Sequence, residues 1–264
     1  MARAMRELWF ERAGVRLFAS DFGAGELIVM LHGGMASHVA VLPLVTPLAP
    51  GYRIIAPDLR GSGRSRSGAT LTFDHLFRDL EALLDHVGAD EAVVGGLSGG
   101  AGVALGFALR FPERVSRLVL VQPVYAGEAI GYTEQQREAF EAMDALASRA
   151  PAEGVKVLQP LYEALPPDIR AGALAMLAGF DAASVAATSR WMVSGAQPFA
   201  SQADLRALRM PTLLIRGDDP MHPASVSDLY AEQIPRCVSL PTSTPDVPGA
   251  IRSFLDEETS RCSS

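Results

Sequence analysis

Apolar positions along this chain recur with two different spacings, and the switches between them mark out the elements. RELWFER (6–12) and VRLFASDFG (15–23) alternate apolar with polar and predict two strands around a turn at Ala13-Gly14. ELIVMLHGG (26–34) is instead a continuous apolar run ending in glycines, as expected of a strand buried on both faces. The same signature returns in YRIIAPD (52–58), EAVVGGL (91–97), RLVLVQPV (117–124), PTLLIRGDD (211–219) and CVSLP (237–241). Helical spacing is clearest between Thr72 and Gly88, where Phe73, Leu76, Phe77, Leu80, Leu83, Leu84 and Val87 share one face. Thr72 suits the N-cap of that helix and Gly88 the position just past its end.

Strands alternating with such helices imply βαβ units and a mostly parallel sheet, the α/β class, with ligands at the C-terminal ends of the strands. Residues 127–205 interrupt the alternation. Thr133-Glu-Gln-Gln136 reads as a capping box, and helical runs broken by Pro160, Pro166 and Pro167 follow. The expected organisation is a core from 1–126 and 206–264 with a helical lid, 127–205, inserted between two strands. Met143, Met176, Phe180, Trp191, Met192 and Phe199 give that lid apolar and aromatic surface, most of it expected to be plain packing.

Composition narrows the classes. The chain has 264 residues, 48% hydrophobic and 20% charged, enough apolar surface for a substantial core. A net charge of −7 argues against nucleic acid and against a polybasic membrane anchor. No apolar stretch reaches the roughly 18 residues of a membrane span, and MARAMRELWFERAG lacks the apolar run of a signal peptide. The expectation is a cytoplasmic protein without membrane or nucleic-acid partners, either a monomer or a homodimer. Cys237 and Cys262 are too few for a disulfide framework, and no bridge is expected. Neither has neighbours at metal-ligand spacing, and no phosphate loop or dinucleotide fingerprint occurs. No metal or cofactor is therefore expected.

The chemistry concentrates at Gly96-Leu-Ser98-Gly-Gly100, a G-x-S-x-G between a predicted strand and a predicted helix. A sharp strand-to-helix turn forces the serine into strained backbone angles and requires small residues two positions away on either side. It lifts the hydroxyl above the sheet and directs the Gly99 N–H toward an oxyanion forming beside it. His32-Gly33-Gly34 follows one apolar strand, and Asp58-Leu-Arg-Gly-Ser-Gly-Arg-Ser65 follows the next. With PERVSRLVLV and PTLLIRGDDP in the same order, the sequence resembles the α/β-hydrolase family over nearly its whole length.

That resemblance implies an α/β-hydrolase fold, Ser98 as nucleophile and the Gly34 and Gly99 N–H groups as oxyanion hole. It makes His32 a structural support of its loop. It places the acid after PTLLIRG, at Asp219, which precedes a proline, or at Asp218. It also implies a histidine between the last strand and the final helix, where LPTSTPDVPGAIRSFL has none. His75 and His86 fall at the polar margin of a helix, and His38 is expected to cap a helix or face solvent. His222 lies three residues beyond Asp219 at the sheet edge that should carry the site. Asp219's strand should lie two strands from that of Ser98, near 10 Å at about 4.8 Å per strand, a gap a histidine of the acid's own loop would help bridge. Two readings stand for His222: the base, or a loop residue packed under the lid.

Three functions compete. The first is a serine hydrolase of a small apolar acyl substrate, an ester or lactone, using Ser98, His222 and Asp219. The second keeps the pocket for a lyase, cyclisation or isomerisation, and the third for ligand binding alone. A serine at the elbow argues against epoxide hydrolase and dehalogenase chemistry. Met35-Ala36 after HGG weakens a proline-iminopeptidase reading.

Overall fold

The structure is a computed structural model that describes residues 3–262. Seven strands form one sheet: β1 (Arg3–Arg12), β2 (Val15–Leu31), β3 (Pro50–Pro57), β4 (Ala92–Leu97), β5 (Val115–Val121), β6 (Thr212–Ile215) and β7 (Cys237–Leu240). The order is β1-β2-β4-β5-β6-β7, with β3 against β2. From β2 through β4, β5, β6 and β7 neighbouring strands are parallel.

The runs 15–23 and 26–34, expected as two strands, are joined: residues 15–31 form one continuous element, β2, with a sharp bend in its middle, and His32-Gly33-Gly34 lie beyond its end. Ala19 to Gly23 pair with Pro57 to Arg53 in descending order, whereas Gly25 to Val29 pair with Gly51 to Ile55 in ascending order. β3 is thus flanked by both halves of β2. The bend depends on Gly23 and Gly25, at φ +77° and +123°. A Cβ on Gly25 would lie 2.0 Å from the Gly51 carbonyl oxygen, so no other residue fits.

Helices α1 (Leu42–Val45) and α10 (Val247–Cys262) flank the sheet near Ile28 and Met30; α2 (Phe73–His86) and α3 (Gly99–Arg110) lie on the side of Leu27, Val29 and Leu31. The alternation inside 27–31 explains why that run is apolar throughout: successive side chains enter two separate cores. α2 is the helix expected from the spacing, with Thr72 accepting from the His75 N–H.

The segment between β5 and β6 holds α4 (Glu134–Ala147), α5 (Ala150–Glu153), α6 (Gln159–Glu163), α7 (Pro167–Leu177) and α8 (Ala182–Val193). Its capping box is formed, with Gln136 N–H on Thr133 Oγ1 at 3.2 Å and Thr133 N–H on Gln136 Oε1 at 3.0 Å. α9 (Ala224–Gln233) follows β6. Among the described residues no single helix is long and apolar enough to cross a membrane. Cys237 is a free thiol pushed up to about 11 by burial. The side chain of Cys262 lies outside the described residues.

Asp58 ties the loops above the sheet together. Its buried carboxylate accepts from the His38 N–H (2.7 Å), His38 Nδ1 (2.8 Å) and the Arg64 N–H (2.7 Å). His38 is therefore neither a cap nor a solvent-facing residue, contrary to the sequence expectation; its ring answers a buried charge that local pattern does not disclose. Burial pushes the Asp58 carboxyl up, but the hydrogen bonds from His38 and the nearness of the two imidazoles hold it below its ordinary value. Its stabilising contribution is complete above the unfolded carboxyl value, about 3.9, and is lost as pH falls through the lower folded value. Asp58→Asn is expected to cost about 1–3 kcal/mol at neutral pH, from urea unfolding midpoints. The gap to wild type should narrow at about pH 3; a gap independent of pH would reject the charged role.

Candidate active site

Ser98 occupies the turn between β4 and α3 with φ +55° and ψ −121°, outside the comfortable regions for a side-chain-bearing residue. Its N–H donates to the Val121 carbonyl at 2.9 Å, which fixes the turn to β5. The glycines around it are sterically required. A Cβ on Gly96 would lie 2.1 Å from the Gly100 carbonyl oxygen, and one on Gly100 would lie 2.5 Å from the Leu31 and His32 carbonyl oxygens.

His222 reaches Ser98 from the loop after β6. Its Nε2 lies 2.9 Å from Ser98 Oγ, and its Nδ1 lies 2.8 and 3.0 Å from the two carboxylate oxygens of Asp219. The Asp219 carboxylate also accepts the Met221 and His222 N–H groups, at 2.8 and 2.9 Å. One short turn therefore holds both carboxylate and imidazole. Gly217 makes room for it: a Cβ there would lie 2.5 Å from His222 Cβ. Partial burial pushes the Asp219 carboxyl up, yet hydrogen bonds and charge from His222 keep it below the ordinary carboxylate value. Asp218 is exposed and is not the carboxylate on His222. The strand order separates β4 from β6 by β5 alone, the spacing that lets one imidazole span the distance.

A carboxylate on Nδ1 fixes the tautomer that presents a bare Nε2 to the serine hydroxyl, so the row can pass the Ser98 proton to His222. The other loop histidine is occupied differently. Fully buried His32 donates from Nδ1 to the Gly33 carbonyl at 2.7 Å and accepts the Leu59 N–H on Nε2 at 3.0 Å. Burial drives its pKa down, and the neutral ring joins the HGG loop to the Asp58 loop. His75 and His86 remain on α2, away from this group.

Gly34 and Gly99 face each other beside Ser98. The position of a Cβ on Gly99 lies 3.3 Å from Gly34 N. Among the described residues neither N–H donates to a protein acceptor; Gly99, the first residue of α3, has no intrahelical acceptor. These residues open on a small cavity of about 40 Å³. Leu71, Leu76, Val103, Phe140, Trp191 and Met192 form much of its wall. Phe140 comes from α4, and Trp191 and Met192 from α8, so the helical segment covers the Ser98 end of the sheet. Arg60 supplies the cavity's only charge among its lining residues, and its guanidinium is bound to both oxygens of Asp79 at 2.7 and 2.6 Å.

One contributor escaped the sequence reading. The buried Gln136 side chain donates from Nε2 to the Val124 carbonyl and the Met221 carbonyl, both at 3.0 Å. It clamps the residue before His222 to the segment leaving β5. Its sequence signal, the capping box, points only to a helix start; the amide nitrogen that the box leaves unused, and that had to find buried acceptors, was the available clue.

A family model described as alpha/beta hydrolase fold matches residues 26–166. The 2-hydroxymuconate semialdehyde hydrolase of Pseudomonas sp. (strain CF600) is 32% identical over 241 residues, 85% of this chain and 81% of that protein. The 2-hydroxy-6-oxo-6-phenylhexa-2,4-dienoate hydrolase of Burkholderia cepacia is 34% identical over 157 residues, covering 56% of this chain and 48% of that one. A thermophilic esterase from Thermogutta terrifontis is similar in structure, with a TM-score of 0.76 and 25% identity over 96% of this chain and 98% of its own.

Proposed function

Since this chain belongs to the α/β-hydrolase fold family and is a hydrolase, we propose that it works as a serine hydrolase through Ser98, His222 and Asp219. The observation that carries this reading is the unbroken hydrogen-bonded row from Asp219 through His222 to Ser98. In this reading Ser98 Oγ attacks an acyl carbon while His222 Nε2 takes the hydroxyl proton. Asp219 holds the tautomer and stabilises the imidazolium. The Gly34 and Gly99 N–H groups receive the negative oxygen of the tetrahedral intermediate. His222 then returns the proton to the leaving group, and a water activated by the same ring releases the acyl group.

The substrate is a small acyl compound, an ester or lactone, with an apolar body. The wall of Leu, Val, Phe, Trp and Met side chains supports that choice, as does the pairing of Arg60 with Asp79. Residues 127–205 act as the lid that encloses the apolar body of the substrate above Ser98 and limits bulk solvent there. A second reading is favoured by the 32% identity to 2-hydroxymuconate semialdehyde hydrolase. It keeps the same residues and makes the scissile bond carbon–carbon, with a stabilised carbanion in place of an alkoxide as leaving group.

A fluorophosphonate serine probe tests the shared core of both readings. The native protein is expected to take up one equivalent, with the adduct on the peptide carrying Ser98 in a mass spectrum. Labelling should vanish on heat denaturation, because reactivity depends on the folded row. A native protein that stays unlabelled at millimolar probe overturns the proposal.

A further inference from the structure

Tyr125 follows β5 and is buried, yet it borders the same cavity as Ser98. Its ring lies along the first turn of α3. A Cβ on Gly102 would fall 2.2 Å from Tyr125 Cδ2, so the missing side chain at Gly102 is the slot that the ring fills. Three residues earlier on that helix, Gly99 also lacks a side chain. A Cβ there would meet the Tyr125 hydroxyl at 3.9 Å and Gly34 N at 3.3 Å. A small space is therefore bounded by the Gly99 backbone, the Gly34 N–H and a phenol.

The tyrosine is held from several sides. Tyr230 donates its hydroxyl to the Tyr125 carbonyl at 2.8 Å. Phe73 meets the ring edge-on at 5.2 Å between centroids, and the Tyr132 ring is tilted against it at 5.9 Å. The Tyr132 hydroxyl donates to the Tyr125 hydroxyl, and among the described residues the Tyr125 O–H itself donates to no backbone carbonyl or carboxylate. Of the other polar side chains at the cavity, Thr188 donates to the Gly61 carbonyl and Arg60 is bound to Asp79, while the buried Trp191 indole N–H meets no acceptor among the described residues.

Resting on the Ser98 reading above, we propose that the Tyr125 hydroxyl is a third hydrogen-bond donor to the substrate oxygen received by the Gly34 and Gly99 N–H groups. It touches the reacting acyl group and is in that sense a catalytic residue. No bond to Tyr125 is made or broken; its proton stays on the phenol while charge builds on the neighbouring oxygen. Burial pushes this phenol up to about 12, so it remains a donor throughout the working pH range. A donor set by packing before charge develops stabilises the transition state more than the ground state. Its effect should therefore fall on kcat.

The experiment compares Tyr125→Phe with wild type and Ser98→Ala on a short-chain p-nitrophenyl ester, and measures inhibition by an alkyl trifluoromethyl ketone. That ketone adds to serine as an oxyanion-bearing adduct. Tyr125→Phe removes one oxygen and leaves the ring in its slot, so the protein should stay folded, its melting temperature lowered only by the loss of the hydrogen bond from Tyr132. The expected result is a fall in kcat of roughly 10- to 100-fold with little change in KM. Inhibition by the ketone should weaken by a similar factor, a shift that a packing role alone would not produce. Tyr125→Phe within twofold of wild type in kcat and in ketone inhibition, with Ser98→Ala inactive, overturns the role of Tyr125 and leaves the Ser98 reading in place. Hydrolysis by Ser98→Ala at the wild-type rate, or none by wild type, removes the Ser98 reading and this proposal together.

Discussion

Replacing His222 with alanine is expected to slow ester turnover by about 10²–10⁴-fold, with the fold intact. Among the described residues the ring is the only imidazole on the serine: its Nε2 lies 2.9 Å from Ser98 Oγ, while His32 and His38 are bound to Gly33, Leu59 and Asp58. Removing it leaves Ser98 without a proton acceptor and Asp219 without an imidazolium to stabilise. His75→Ala is the matched control on α2 and should keep nearly full rate. Steady-state rates on a p-nitrophenyl ester and circular dichroism spectra of the three proteins suffice. A His222→Ala variant at the wild-type rate would reject the base assignment.

The loss should be larger still for Ser98→Ala, about 10⁴–10⁶-fold in kcat, because no covalent route remains. A second consequence concerns stability. Ser98 is held at φ +55°, a conformation that costs a side-chain-bearing residue about 1–3 kcal/mol. Ser98→Gly removes that strain and Ser98→Ala does not. Both should be inactive, and the glycine variant should unfold at the higher denaturant concentration. An alanine variant more stable than the glycine one would mean that the turn holds no strain at this residue.

What the sequence disclosed follows from how locally each feature is encoded. The elbow was legible because its glycines sit two residues either side of Ser98: Gly96 is excluded from bearing a Cβ by the turn itself and Gly100 by the end of the neighbouring strand β2. The buried strands were legible because both of their faces are apolar. The Asp219–His222 pairing lies within one turn, and topology alone suggested its reach to Ser98. Other features depend on partners far along the chain. His38 finds Asp58 twenty residues away, and Gln136 finds Met221 eighty-five residues away. Neither distance leaves a periodic trace. The bend in β2 was misread as a break because Gly23 and Gly25 signal a turn equally well whether or not strand pairing continues through it.

The turn that carries Asp219 and His222 also bears on the order in which the molecule assembles. Contacts three residues apart need almost no loop closure, so carboxylate and imidazole can pair as soon as that turn forms. The contact to Ser98 spans 124 residues and waits for β4, β5 and β6 to align. Had acid and base come from separate loops, two distant closures would have been needed. Here one suffices, and a folding intermediate with its sheet still open would hold a finished Asp219–His222 pair with no Ser98 hydroxyl beside it. Reactivity toward a serine probe should thus appear during refolding in step with strand docking, after the local turn is made.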